Sequence, residues 1–213
     1  VRGQKYQYHR NFMPHRAWAP FCSYTLRMPT ARICTRRHEQ GKLNPVQDRF
    51  FQEKPCEELY DVEADPHMVK NLAENPKYAE VLARMRRELR DWQLRTRDLG
   101  LLSEYEMHRR AKGSTQYAVG QSQAKYPLRR ILPVARLASR REPGTVEELV
   151  ALLDDQEPVV RWWATLGLVM RGEKARSAQA ELEDCLQDDS PLVRVAAAEA
   201  LHQVGETDQA LAA

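Results

Sequence analysis

Residues 155–164 read Asp-Gln-Glu-Pro-Val-Val-Arg-Trp-Trp-Ala, and residues 188–197 read Asp-Asp-Ser-Pro-Leu-Val-Arg-Val-Ala-Ala. The two segments align at a constant offset of 33 residues, and Gly172 and Gly205 follow them at the same offset. A fixed period in this range is typical of stacked helix pairs. Each unit therefore predicts one helix, a turn that contains Asp, and a second helix that begins at proline and ends at glycine.

The periodic region resembles HEAT-like repeats, whose hallmark is the pattern Asp-x-x-Pro-x-Val-Arg-x-x-Ala. The match covers about residues 145–205, because its proline, valine, arginine, alanine and glycine all recur in register. A preceding helix is predicted over residues 127–139, and residues 206–213 would begin another. We expect one tryptophan of Trp162-Trp163 to be buried and the other semi-exposed. An exposed tryptophan would be a candidate anchor for a protein partner.

The first half of the chain predicts an α+β fold in which a long helix packs on a small antiparallel sheet. Residues 4–10 alternate in the manner of a strand, and residues 58–62 form a second short strand. Residues 69–73 are expected to form a helical turn. The long helix begins after Asn75-Pro76, a cap followed by a proline at the first helical position. Its predicted buried face consists of Tyr78, Val81, Leu82, Met85, Leu89 and Trp92.

We expect a boundary within the polar, glycine-containing stretch that joins the two halves. The predicted domains are 1–112, a linker over 113–126, and an all-α helical-repeat solenoid over 127–213. Residues 11–57 are rich in proline, so only two short helices are expected there, near 30–40 and 45–51. A long weakly structured segment of this kind often wraps a larger body or lines a site.

The charge is distributed unevenly along the chain. Residues 1–54 hold eleven Lys and Arg against three Asp and Glu, whereas residues 127–213 hold ten against fifteen. A basic first quarter suggests an anionic partner, which could be a sulfated glycan, a nucleic acid or an acidic protein surface. A solvated basic face is the alternative. Nucleic acid ranks last, because no nucleic-acid motif accompanies the basic and aromatic residues.

Other classes of protein are disfavoured by composition. No apolar run approaches the length of a membrane helix, so no membrane-spanning segment is predicted. The four cysteines are isolated and form neither a disulfide framework nor a zinc spacing, and no metal site is predicted. The first residue is not Met, so we interpret the start as internal, and it gives no information on targeting.

Several segments of residues 1–107 resemble the C-terminal part of type I sulfatases of the alkaline-phosphatase-like superfamily, in particular bacterial enzymes similar to heparan N-sulfatase. The segments that carry this resemblance are Lys5–Tyr8, Arg10–Pro14, Met28–Thr30, Gly41–Pro45, Pro55–Ala73 and Asp98–Leu102. The resemblance implies a sulfuric ester or sulfamate hydrolase, with a periplasmic or secreted location. It also implies a calcium ion and a formylglycine made from the first residue of a Cys-x-Pro-x-Arg motif.

None of the four cysteines begins that motif, and the family's calcium ligands would lie upstream of this chain. We therefore expect no catalytic residue and no cofactor here, and the chain would be inactive without an N-terminal catalytic domain as its partner. His15 and Arg16 are the candidate substrate-binding residues, because arginine suits bidentate contact with sulfate and the pair lies in a Pro-flanked loop. The expected substrate is sulfated, and a glycan is the candidate class. The alternative is a protein-interaction module built on the helical repeats.

Overall fold

The computed structural model describes residues 1–19 and 22–206. Contacts divide the chain into unit 1, Val1–Arg86, and unit 2, Arg87–Ala213. The strands are β1 (Tyr6–Arg10) and β2 (Glu57–Asp61). The α-helices are α1 (Pro29–Glu39), α2 (Pro45–Asp48), α3 (Ala79–Thr96), α4 (Glu104–Arg110), α5 (Gln116–Gln121), α6 (Leu128–Arg140), α7 (Val146–Val150), α8 (Pro158–Val169), α9 (Gln179–Cys185) and α10 (Pro191–Gln203).

The fold class is the predicted one, a small antiparallel sheet with helices followed by an all-α repeat region. In unit 1, β1 pairs antiparallel with β2, with Tyr8 opposite Leu59. Tyr8, Leu59 and Tyr60 are buried, while Tyr6 is half-buried. Both strands are present close to the predicted positions. The two short helices predicted in the proline-rich stretch are α1 and α2, and a 3-10 turn over Arg49–Phe51 extends the second.

The helical turn predicted over residues 69–73 is wrong. The chain there is irregular and runs beside β2, to which it is tied by Asn71. The Asn71 side chain accepts a hydrogen bond from Leu59 N at 2.9 Å and donates one to Glu57 O at 2.9 Å. In addition, Leu72 N donates to Leu59 O at 2.8 Å. These bonds satisfy the backbone of the strand edge and take the place of a helical turn.

The long helix α3 is preceded by the predicted cap, because the Asn75 side chain accepts a hydrogen bond from Lys77 N. Leu82 and Met85 are buried, as the spacing predicts. Trp92 is not: its side chain is 46% exposed, so its place on the buried face was wrong. Gln93 is buried instead and donates to Asp98 at 3.1 Å. In the last turns of α3, the buried face therefore includes Gln93 and excludes Trp92.

Unit 2 contains the two helix pairs that the 33-residue period predicts. The first pair is α7 and α8, the second is α9 and α10, and α8 packs against both α6 and α10. Proline occupies the start of α8 and of α10, and Gly172 and Gly205 adopt positive φ values of 55° and 99°. A left-handed residue after a helix favours glycine, since it has no Cβ. Trp163 is buried and Trp162 half-exposed, as expected.

The segment before the repeats is part of the same unit. Trp163 Nε1 donates to Leu101 O at 2.9 Å, and Tyr126 Oη donates to Asp98 O at 2.6 Å. Arg110 contacts both Glu106 and Glu157, which lies at the start of α8. The domain boundaries given above remain a prediction, and residues 207–213 lie outside the described part. In the described residues, no helix combines the length and apolar character needed to cross a bilayer.

Candidate binding cleft

A cleft of about 360 Å³ in unit 1 collects polar and aromatic side chains from five separate parts of the chain. β1 and the residue after it supply His9 and Asn11, and β2 supplies Glu58 and Tyr60. The other walls come from Trp18, from the region of α2, and from the loop after β2. Their lining residues are Trp18, Val46, Arg49, Phe50, His67, Met68 and Val69.

Glu58 lines this cleft with a buried, hydrogen-bonded carboxyl group. The residue is only 7% exposed, and its carboxylate accepts hydrogen bonds from Tyr60 Oη and Asn11 Nδ2, both at 2.6 Å. Burial raises the pKa of Tyr60, and its hydrogen bond to Glu58 adds to that, so the phenol keeps its proton at neutral pH. Each oxygen of Glu58 thus has a donor, which satisfies a buried carboxylate.

The remaining walls provide the guanidinium of Arg49 and an exposed aromatic ring, Phe50. Arg49 donates one N–H to Val69 O at 2.7 Å, which anchors the guanidinium at the wall. His9 lies edge-on to Tyr60 with ring centroids 6.2 Å apart, and Phe50 is 55% exposed. An arginine beside histidines and open aromatic faces suits a ligand that carries sulfate or carboxylate groups on an apolar ring.

The two residues named by sequence reasoning lie elsewhere in unit 1. His15 is half-buried and Arg16 is exposed in a turn closed by a bond from Arg16 N to Met13 O at 3.2 Å. Neither lines the cleft, so their role in substrate binding stays a prediction. Sequence reasoning missed Arg49 and His67. Their positions were the available signal. Arg49 follows a short helix in the basic segment, and His67 lies in the sulfatase-like segment.

A second charged cluster in unit 1 is structural. Glu57 accepts hydrogen bonds from Tyr8 Oη at 2.5 Å and from Arg86 Nε at 2.7 Å, and Arg10 Nη1 lies 3.4 Å from it. Burial raises the pKa of Glu57, but the bonds from Arg86 and Tyr8 and the charge of Arg10 outweigh it and lower the pKa to about 2. The carboxylate therefore stays ionised at neutral pH, and this cluster fixes β2 to α3.

The expected absence of a sulfatase nucleophile and calcium site stays a prediction, and two observations bear on it. The sequence has no Cys-x-Pro-x-Arg motif, and its four cysteines are free thiols. Among residues 1–19 and 22–206, no three His, Cys, Asp or Glu side chains are grouped so that they could hold a metal ion. Asp155 and Asp188 instead accept backbone hydrogen bonds from Glu157 N and Ser190 N, both at 2.7 Å.

Comparisons with known proteins found a family of repeats and a sulfatase relative. The family model of HEAT repeats matches residues 146–213, which contain the helix pairs of the 33-residue period. A stretch of 108 residues, 50% of this chain, is 38% identical to the ulvan-active sulfatase of Formosa agariphila. That stretch is 18% of the length of the relative, so the chain spans only a small part of it. No solved structure matches.

Proposed function

We propose that this chain is the C-terminal portion of a sulfatase, a sulfuric ester or sulfamate hydrolase, followed by HEAT-like repeats. In that role it contributes substrate contacts but no bond-breaking group. The observation that carries the proposal is the 38% identity to an ulvan-active sulfatase over 108 residues. The cleft beside β2 supports it, since Arg49, His9 and His67 offer donors to sulfate oxygens.

Catalysis would come from a domain outside this chain. The formylglycine nucleophile requires a Cys-x-Pro-x-Arg motif, which is absent from the sequence, and the described residues offer no metal-binding group. Calcium and formylglycine would therefore be held by the catalytic partner. His15 and Arg16 would extend the contact surface along the basic segment, whose excess of lysine and arginine attracts a polyanion.

Binding of ulvan, the polymer in the relative's name, tests the proposed cleft. The whole chain is passed over immobilised ulvan, and its dissociation constant is compared with that of Arg49→Ala. We expect Arg49→Ala to weaken binding about tenfold, the loss of one charge-assisted contact. The matched control is Arg32→Ala, an exposed arginine of unit 1 outside the cleft, which should bind as the unaltered chain does.

The predicted role of His15 and Arg16 in substrate binding is tested in the same assay with the double variant His15→Ala/Arg16→Ala. A several-fold loss of affinity supports a contact with substrate, and an unchanged affinity removes both residues from the binding surface. If neither Arg49→Ala nor His15→Ala/Arg16→Ala changes the affinity, polymer recognition involves neither the cleft arginine nor this pair. A Cys-x-Pro-x-Arg motif encoded upstream of Val1 would independently support the sulfatase origin, and a start codon at this point would contradict it.

A second function is carried by a separate observation, the HEAT-repeat match over residues 146–213. Helical repeats present extended surfaces to other proteins. In this reading the chain is a protein-interaction module, and the first half is an adaptor derived from an enzyme. Binding to ulvan that survives removal of the repeats would favour the sulfatase role. Failure of the chain to bind ulvan under any condition would favour the interaction module.

A further inference from the structure

A groove of unit 2 lies along α6 and has a volume of about 1120 Å³. One side is formed by the last turns of α3, from Arg90 to Arg95, and the other by Glu148 of α7 and Leu152 just after that helix. All of its lining residues belong to unit 2. This groove is separate from the cleft of unit 1, and the proposed sulfatase role makes no use of it.

Positive charge is concentrated at the groove. Five arginines line it against the two carboxylates of Asp91 and Glu148, although residues 127–213 carry net negative charge. Arg90 pairs with Asp91 at 2.9 Å. The guanidinium groups of Arg95, Arg129 and Arg140 are exposed and have no hydrogen bond or ion pair with any residue that the structure describes. Exposed cations that the fold leaves unpaired attract an anionic partner.

The floor of the groove is aliphatic. It is formed by side chains that offer no hydrogen bonds, namely Leu94, Leu132, Pro133, Val134, Leu137 and Leu152. Leu132 is only 3% exposed, so the floor is continuous with the core of the unit. No Trp, Tyr or Phe is among the lining residues, so the stacking platforms that single-stranded nucleic acids use are missing. A polymer that is polar on all sides would leave the aliphatic floor uncovered.

We propose that this groove binds an acidic amphipathic helix of a partner protein. Apolar side chains at spacings of three and four residues would cover the leucine floor, which is the recognition mode of a helix in a groove. Asp and Glu on both sides of that stripe would face the arginines, which bind carboxylates in bidentate geometry.

The test uses a fluorescein-labelled peptide of Glu and Leu, with Leu at positions i, i+3, i+4 and i+7, and the whole chain as binder. A second peptide of the same composition with scrambled order is the probe control. We expect fluorescence anisotropy to show saturable binding of the patterned peptide, at least tenfold tighter than the scrambled one. The double variant Arg129→Glu/Arg140→Glu should lose at least tenfold in affinity, because both charges are reversed.

Two further variants keep the result interpretable. Arg87→Glu/Arg176→Glu makes the same charge change at exposed positions of unit 2 outside the groove and should leave affinity unchanged. Arg129→Lys/Arg140→Lys keeps the charge and should retain most of the binding. Equal affinity for both peptides, no binding, or equal loss in the groove and control variants would overturn the proposal. Tight heparin binding through these arginines without preference for the patterned peptide would also overturn it, in favour of a sulfated polymer.

Discussion

In each unit, one charged side chain joins several segments of the fold through hydrogen bonds. In unit 1 that residue is Glu57, whose carboxylate joins Tyr8 of β1, Arg10 of β1 and Arg86 of α3. In unit 2 it is Arg171, which is 5% exposed. Arg171 donates to Ala138 O and Gly167 O at 3.1 and 2.6 Å. Burial lowers the pKa of Arg171 to about 10, so it remains charged at neutral pH.

The low pKa of Glu57 predicts loss of stability in acid. Its pKa falls from 4.5 when unfolded to about 2 when folded. The stabilisation is therefore complete above pH 4.5 and is lost as the pH falls from 4.5 through 2. After solvent screening we expect about 1–2 kcal/mol. Urea denaturation at several pH values should show this loss in the unaltered chain and a smaller one in Glu57→Gln. An equal acid dependence in both would contradict the assignment.

The carbonyl cluster around Arg171 predicts a large effect of its removal. Arg171→Met keeps the length of the side chain but removes the donor that Ala138 O of α6 and Gly167 O of α8 share. We expect about 3 kcal/mol of destabilisation, since several buried acceptors lose their partner together. Thermal denaturation followed by circular dichroism measures it. Arg176→Met, at an exposed arginine five residues later, is the control and should change stability by less than about 0.5 kcal/mol.

At the scale of elements, local sequence patterns predicted the helices whose positions depend on repeat spacing and capping residues. The 33-residue period placed α7 to α10, and Asn75-Pro76 placed the start of α3. The errors arose where tertiary contacts decide. Residues 69–73 could form a helical turn, but Asn71 bonds to the edge of β2. Trp92 satisfies the helical spacing, yet the buried position in that turn belongs to Gln93. No pattern in one segment contains this information.

The packing of α8 gives an element-scale prediction at Gly167. A Cβ at this position would lie 2.8 Å from both methyl carbons of Leu149 and 3.1 Å from the Cα of Ala138. Because backbone on one side and a buried side chain on the other leave no space, Gly167→Ala should separate α8 from α6 and α7. We expect a loss of about 1–3 kcal/mol, although alanine favours helices.

The control for this change is Gly144→Ala, whose Cβ would meet nothing within 4 Å. Urea denaturation of both variants measures the effect, and Gly144→Ala should leave the unfolding midpoint nearly unchanged. A Gly167→Ala variant as stable as the unaltered chain would show that the helices can move apart without cost.

For the whole molecule, the fold was more predictable than the site. Repeat spacing and strand alternation gave both architectures, because these signals repeat along the sequence. The cleft is different, since His9, Trp18, Arg49, Glu58 and His67 come from distant positions and meet only after folding. Sequence reasoning instead selected two adjacent residues in one loop. Binding residues from separate segments show no common spacing in the sequence, so only the tertiary structure reveals that they lie together.

The central proposal is that this chain contributes contacts to a sulfated substrate and supplies no bond-breaking group. Isothermal titration calorimetry of the whole chain with ulvan tests both parts in one measurement, because binding gives a saturable heat and turnover gives a continuous one. We predict a saturable binding heat that weakens with salt, followed by a return to baseline and no release of free sulfate. A sustained heat accompanied by sulfate release, or the absence of any binding heat, would contradict the account.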